Sequence, residues 1–413
     1  MPRLAVDGGE KVRKTPLPPR ALFGEEEKAA AVAVFDRAIQ LGEAFGYNGP
    51  EEQAYEREFA EFLGGGYADM VNSGTSAVFV ALGALQLEPL SEVIVPPITD
   101  PGGIMPVPML NCVPVVADAH PESYNVGPEQ LEQALTERTR AIVVAHIAGE
   151  PADMDPIMEI ARSGGIPVVE DSAQAHGALY KGRLVGTIGD IAAFSTMHGK
   201  HHATGGQGGV VFSKNEELFW EAKRFADRGK PFNTDFTSNV RMGLNLNGNE
   251  LSAAIGRVQL RKLPSIVARR RQFVKALARR IEGLRSVSLG WVLPGSESSY
   301  WFLRMRIDCD KLKVDKPAFV EALSAEGVPC SVEYRATPWE AKWFRERNTY
   351  GESGYPWTAS EYKGERDKVF TCPNCVASVG THFSIALHEN YGEQEASDFA
   401  AALGKVENAY LKA

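Results

Sequence analysis

Cysteine is scarce in this 413-residue chain, positive charge is in deficit, and long uncharged apolar runs are missing. Each shortage removes a class of protein. The five cysteines, Cys112, Cys309, Cys330, Cys372 and Cys375, are few and odd in number, which fits reduced thiols in a cytoplasmic protein better than a disulfide framework. Lys and Arg number 44 against 53 Asp and Glu, a formal net charge of −9. That balance argues against a broad phosphate-binding face, so no nucleic acid partner is expected. No run approaches the roughly 18 apolar residues of a membrane-spanning helix, and the opening MPRLAVDGGEKVRKTPLPPR has no signal-peptide core, so no membrane partner is expected. Internal repeats and low-complexity tracts are also absent.

The chain is 44% apolar and 23% charged, the balance of an ordinary globular protein. At roughly 150 residues per domain its length allows two to three domains. Residues 1–22 are rich in proline and basic side chains and read as an extended arm over the surface or over a partner. Helical spacing runs from Glu25 to about Leu41 and from Glu51 to Leu63, where Gly64-Gly65-Gly66 stops it. Short apolar runs then alternate with helices: EVIVPPI, VPVVAD, AIVVAHIAG, IPVVEDSA, IAAFST and GGVVFS. This pattern predicts an α/β domain with a mostly parallel sheet covered on both faces, whose ligands bind beyond the carboxyl ends of the strands. A long connector helix beginning at NELSAAIG follows, with Pro264 expected to kink it. We divide the chain into the arm 1–22, a large domain 23–262 and a smaller C-terminal α+β domain 263–413.

Four segments carry candidate chemistry. In Asn72-Ser73-Gly74-Thr75-Ser76-Ala77 a small-residue turn opens a helix, which makes either an anion site or a plain helix cap. In Val168-Val169-Glu170-Asp171-Ser172-Ala173-Gln174 the strand ends on acids. A carboxylate there either meets a cation, such as a protonated ring nitrogen, or caps the next helix. In Phe194-Ser195-Thr196-Met197-His198-Gly199-Lys200-His201-His202 a lysine lies among small residues ahead of a glycine-rich turn. Confinement would lower its pKa and leave an amine free to attack a carbonyl. His201 and His202 are adjacent and point in different directions, so no metal site is expected. Gly243-Leu244-Asn245-Leu246-Asn247 is a polar loop whose asparagines either donate to an anion or form turns. Cys372 and Cys375 read as inert thiols, and Arg269-Arg270-Arg271 as a solvated helix face.

These segments, in this order, resemble the DegT/DnrJ/StrS-type aminotransferases, a fold type I family dependent on pyridoxal 5'-phosphate, across nearly the whole chain from Pro16. The resemblance rests on NSGTSA, VVEDSAQAHGA, FSxxxxK with TGGQGG, and GxNxNxNELSAAIGRVQL. It implies that Lys200 bonds the cofactor and carries the proton, Asp171 pairs with the pyridinium nitrogen, and Gln174 lies against the ring. It further implies that Gly74, Thr75, Ser76 and Ser195 hold the phosphate, and that Asn245 reaches the phosphate of the other subunit in a homodimer. The implied reaction is ping-pong transfer of an amino group from glutamate or glutamine to a nucleotide-linked keto-sugar or keto-cyclitol.

The chain departs from the family pattern at three places. Where relatives carry an aromatic residue stacked on the cofactor, this chain has Pro97-Ile98-Thr99-Asp100. Gln207 follows Lys200 by one residue more than is usual. Counting back from the glycines therefore puts His201 at the catalytic position and implies 3-dehydration of a sugar, whereas counting forward from Ser195 puts Lys200 there. The segment Val332–Trp339 also diverges, and a regulatory protein that keeps the fold without turnover is the third reading.

Overall fold

The computed structural model describes residues 3–334 and 336–412. The β-branched runs form β1 (Tyr67–Val71), β2 (Glu92–Val95), β3 (Val113–Val116), β4 (Thr139–Ala145), β5 (Val168–Asp171), β6 (Ile191–Ser195) and β7 (Gly209–Ser213). They make one sheet in the order β1-β7-β6-β5-β4-β2-β3. Only β7 runs against the others, paired antiparallel with both β1 and β6. Every residue of β2, β3, β5, β6 and β7 is buried. Burial on both faces is why these strands read as continuous apolar runs rather than alternating ones. The connection from β6 to β7 contains no helix, and this irregular loop carries Lys200.

Helices α1 (Glu25–Leu41) and α2 (Pro50–Phe62) fall within a residue of their expected limits. Helix α3 (Gly74–Ala84) begins where Ser73 Oγ accepts the Ser76 N–H at 3.0 Å, an N-cap that fixes the helix start beside the end of β1. The long helix Glu250–Ile281 runs unbroken through Pro264. That proline is exposed, and the bond its missing N–H removes does not end the helix.

Four antiparallel strands, Val287–Leu289, Leu303–Ile307, His382–Ile385 and Cys330–Ser331, form the second sheet. Helices Lys316–Ala325 and Glu393–Tyr410 cover it. The N-terminal arm packs on this region of its own chain: Leu4 joins its core, and Arg13 pairs with Glu395 at 3.1 Å and Asp398 at 2.7 Å. The expected solvated face at Arg269–Arg271 is corrected by the structure. Only Arg269 is exposed, while Arg270 is buried and Arg271 half-buried, donating to the Ser298 and Gly177 carbonyls. Among the described residues no helix is long and apolar enough to cross a membrane.

Candidate active site

The carboxyl ends of β5 and β6 and the N-terminus of α3 converge. Glycines let the backbones meet: a Cβ on Gly74 would fall 2.5 Å from Ser195 Cβ and 2.9 Å from its Oγ. The first N–H groups of α3 have no acceptor inside the helix, so beside Ser195 Oγ they form an anion cup. Thr75 is exposed at its rim. Ser76 Oγ already bonds Asn72 and Ser73, which orients the turn.

Asp171, the last residue of β5, is buried. Among the described residues, the only hydrogen bond to its carboxylate comes from Ala173 N–H at 3.1 Å. Burial raises its pKa, and the Ala173 N–H and the Lys200 charge only partly offset this. Gly103 is pressed against it, since a Cβ there would come within 2.9 Å of Asp171 Oδ2. Gln174 is held by two bonds, accepting from Ala148 N–H at 2.9 Å and donating to Tyr334 Oη at 2.9 Å.

Lys200 is buried in the β6–β7 loop, and among the described residues its ammonium has no hydrogen-bond or ion-pair partner. It sits 4.0 Å from the centroid of the Trp301 ring. Burial drives its pKa down to about 8, against the pull of Asp171 and then Asp100. Three backbone clamps fix the loop: Trp301 Nε1–H donates to the Gly199 carbonyl at 3.0 Å, and Arg20 Nη2 donates to the carbonyls of Lys200 at 2.6 Å and His201 at 3.1 Å. Arg20 in turn pairs with Glu389, which also holds Arg270, whose own Nη1 reaches the Tyr300 carbonyl. The loop's turn at Gly206 and Gln207 is exposed.

His201 faces elsewhere. Its Nε2–H donates to the Ser299 carbonyl at 3.1 Å, and its ring lies 5.8 Å from that of His176. Burial, then the Arg270 charge, holds it neutral, well below the usual histidine range. Asp100 is exposed at the pocket mouth, where its Oδ1 caps Gly102 N–H at 3.0 Å and its charge reaches Lys200 and Asp171. Asn245 is exposed on a loop, accepting from Asn247, and has no described contact with Lys200 or the α3 cup. Cys372 and Cys375 are buried, and burial pushes both thiols up. In the divergent 332–339 segment, Arg335 lies outside the described residues.

The site therefore offers a buried amine without a partner, a carboxylate with capacity to spare, and a set of free backbone donors. These match the three ends of pyridoxal 5'-phosphate: its aldehyde, ring nitrogen and phosphate. Sequence reasoning missed Trp301 and Arg20, and named Tyr334 only within the divergent 332–339 segment and Arg270 only within the charged triplet; the run Tyr300-Trp301-Phe302 ahead of a strand was the local signal for Trp301.

The DegT/DnrJ/EryC1/StrS aminotransferase family model matches residues 25–365. The chain is 32% identical to 3-amino-5-hydroxybenzoate synthase of Amycolatopsis mediterranei, covering 73% of this chain and 78% of that one. It is 33% identical to dTDP-3-amino-3,4,6-trideoxy-alpha-D-glucose transaminase of Streptomyces venezuelae, covering 69% and 74%. An aminotransferase of Psychrobacter cryohalolentis superimposes with a TM-score of 0.83 at 28% identity, covering 95% of this chain and 99% of that one. The chain belongs to the DegT/DnrJ/EryC1/StrS aminotransferase family, and its cofactor is pyridoxal 5'-phosphate.

Proposed function

We propose that this aminotransferase moves an amino group from glutamate or glutamine to the keto group of a sugar-like acceptor, a nucleotide-linked keto-sugar or a keto-cyclitol, with Lys200 as attachment point and proton carrier. The observation that carries this reading is the Lys200 ammonium, buried against Trp301, facing Asp171 and free of any competing bond. Bound pyridoxal 5'-phosphate supplies a carbonyl for amine exchange and a ring that takes up an electron pair. Asp171 keeps a proton on the ring nitrogen, because a buried carboxylate with one bonded oxygen is stabilised by a cationic N–H. Lys200, with a pKa near 8, takes a proton as the free base and returns it as the ammonium at neutral pH. The N–H groups at Gly74 and Thr75, the Ser76 turn and Ser195 hold the phosphate. Asp100, at the mouth, meets the acceptor rather than stacking on the ring.

The amino-sugar and aminobenzoate names of the relatives support an oxygen-rich cyclic acceptor. A homodimer completes the pocket in this reading, with Asn245 directed into the partner's phosphate cup. Exposed Phe236, Met242 and Leu244 on the same loop, with Phe35 and Ile39 on α1, suit such an interface. Dehydration through His201 finds no support in a ring bonded to the Ser299 carbonyl.

Borohydride reduction of the holoenzyme followed by peptide mapping tests the assignment. A phosphopyridoxyl adduct on Lys200, with a cofactor band that bleaches on adding glutamate or glutamine, is expected. No adduct, together with tight binding of pyridoxamine phosphate, would overturn the Lys200 role.

A further inference from the structure

One cavity lies apart from the amino-exchange site. It has a volume of about 510 Å³ and lies on the free edge of the large sheet, against β3 and the buried Glu92 at the start of β2. Asp171 and Lys200 are instead at the opposite, carboxyl ends of the parallel strands and two or more strands inward. The volume falls within the range of small-molecule and cofactor sites, roughly 300–1,000 Å³.

Its floor is an edge strand that cannot recruit another strand. Val113 N–H bonds inward to the Ser91 carbonyl at 2.9 Å, so the next residue turns its backbone outward into the cavity. That residue is Pro114, which has no N–H to offer. A small molecule, not a β-strand, is the occupant this edge accepts.

The walls specify its chemistry. Trp339, Phe344, Trp357, Tyr362 and Phe370 supply aromatic surface, and Phe344 meets Trp357 and Phe370 edge to face at 6.0 and 5.9 Å. Such surface stacks planar rings. Five cations line the same space, of which Arg138 is taken by Glu92 and Arg347 by Asp367. Arg366 donates to the carbonyls of Ala359, Ser360 and Tyr362. Arg345 and Lys368 have no carboxylate partner among the described residues; Lys368 lies 5.7 Å from the Phe370 ring centroid. Glu340 and Glu365 also line the cavity, and carboxylates of this kind accept hydroxyl or amino protons.

We propose that this cavity is a second ligand site, built for a nucleoside phosphate, with the base among Trp339, Trp357 and Phe370 and the phosphate on Arg345 and Lys368. The inference stands apart from the proposed reaction. The site is nonetheless joined to the active site by one short segment. Tyr334, at one end, bonds Gln174; Ala336 accepts Thr99 N–H at 2.9 Å; Trp339, at the cavity end, donates to the Pro97 carbonyl at 3.1 Å.

A nucleoside phosphate reaches such a site either free or as the nucleotide end of a linked sugar. Calorimetric titration of the cofactor-saturated enzyme with AMP and with UDP-glucose separates the two. We expect saturable binding of AMP, one per chain, weakened about tenfold or more in the double variant Arg345→Gln, Lys368→Gln, because charge-assisted contacts to phosphate are lost. Lys342→Gln, on the same short helix but outside the cavity lining, should leave binding unchanged. Tighter binding of UDP-glucose than of AMP, with the same sensitivity to the double variant, assigns the site to a linked sugar. Binding of neither, or binding indifferent to the double variant in a protein of unchanged melting temperature, overturns the proposal. None of these outcomes depends on where the cofactor is attached, so the amino-transfer reading stands or falls separately.

Discussion

Glu170 and Asp171 are neighbours on one buried strand, yet their carboxylates have opposite fates. Glu170 receives four hydrogen bonds: His146 Nε2–H at 3.0 Å, and the N–H groups of Gly186, Ile188 and Gly189 at 2.7, 2.7 and 2.5 Å. Ala152 N–H donates to His146 Nδ1, which fixes the ring so that Nε2 carries the proton. Burial alone would raise the Glu170 pKa, but His146 and the backbone donors outweigh it and hold the carboxylate below its usual range. Asp171 receives one such bond, and burial wins. A satisfied carboxylate is a structural part, whereas one left short of donors is poised to take a cation. Because successive residues point to opposite faces of a strand, one dipeptide supplies both.

Exchanging the charge for an amide at each position should separate the two roles. Asp171→Asn should lower transamination by roughly 10²–10⁴-fold, the scale of a lost proton-holding group, while the melting temperature holds or rises. A rate within a few-fold of the parent would sink its pairing with the ring nitrogen. Glu170→Gln should do the reverse, costing about 2–4 kcal/mol of stability in urea unfolding by leaving buried N–H groups facing an NH2. The protein that remains folded should show a normal cofactor spectrum. Equal stability losses in the two variants would erase the distinction.

This contrast also explains what could be read in advance. Asn72–Ala77, Asp171, Ser195 and Lys200 each belong to a few consecutive residues after a strand, so local sequence carries their meaning. The wall opposite them is assembled from remote segments. Trp301 enters from the segment just ahead of the strand Leu303–Ile307, and Arg20 from an arm whose proline and basic residues suggest only a surface wrap. The triplet at Arg269–Arg271 misleads because its charge suggests solvent whereas its spacing puts Arg270 in the buried stripe. Ile266, Arg270, Phe273 and Leu277 all fall on the buried stripe of the long helix, and the cation there pairs with Glu389.

A smaller effect than at either acid is expected of the clamp on the lysine loop. Arg20→Gln removes the donor to the Lys200 and His201 carbonyls and one partner of Glu389, without touching the reacting atoms. A loss of about tenfold in kcat, on the order of 1–2 kcal/mol, is expected, with KM for the amino donor little changed. A larger effect on KM than on kcat would show that the arm shapes substrate binding instead of holding the loop.

The smallest effect tests how far the charge balance at Lys200 extends. Asp100 is exposed, so solvent screens it, yet its carboxylate is one of two that raise the Lys200 pKa against the stronger effect of burial. Asparagine keeps the Oδ1 that caps Gly102 N–H and removes only the charge. With one raising influence gone, the amine should lose its proton at a lower pH. Attachment of pyridoxal phosphate to the apoenzyme requires the free base, so its rate climbs with pH through about 8 in the parent. In Asp100→Asn the midpoint should fall by less than about one pH unit, a smaller change than Asp171→Asn produces in the same assay. A midpoint that stays fixed or rises would mean that Asp171 alone balances the lysine, and that Asp100 belongs wholly to the acceptor.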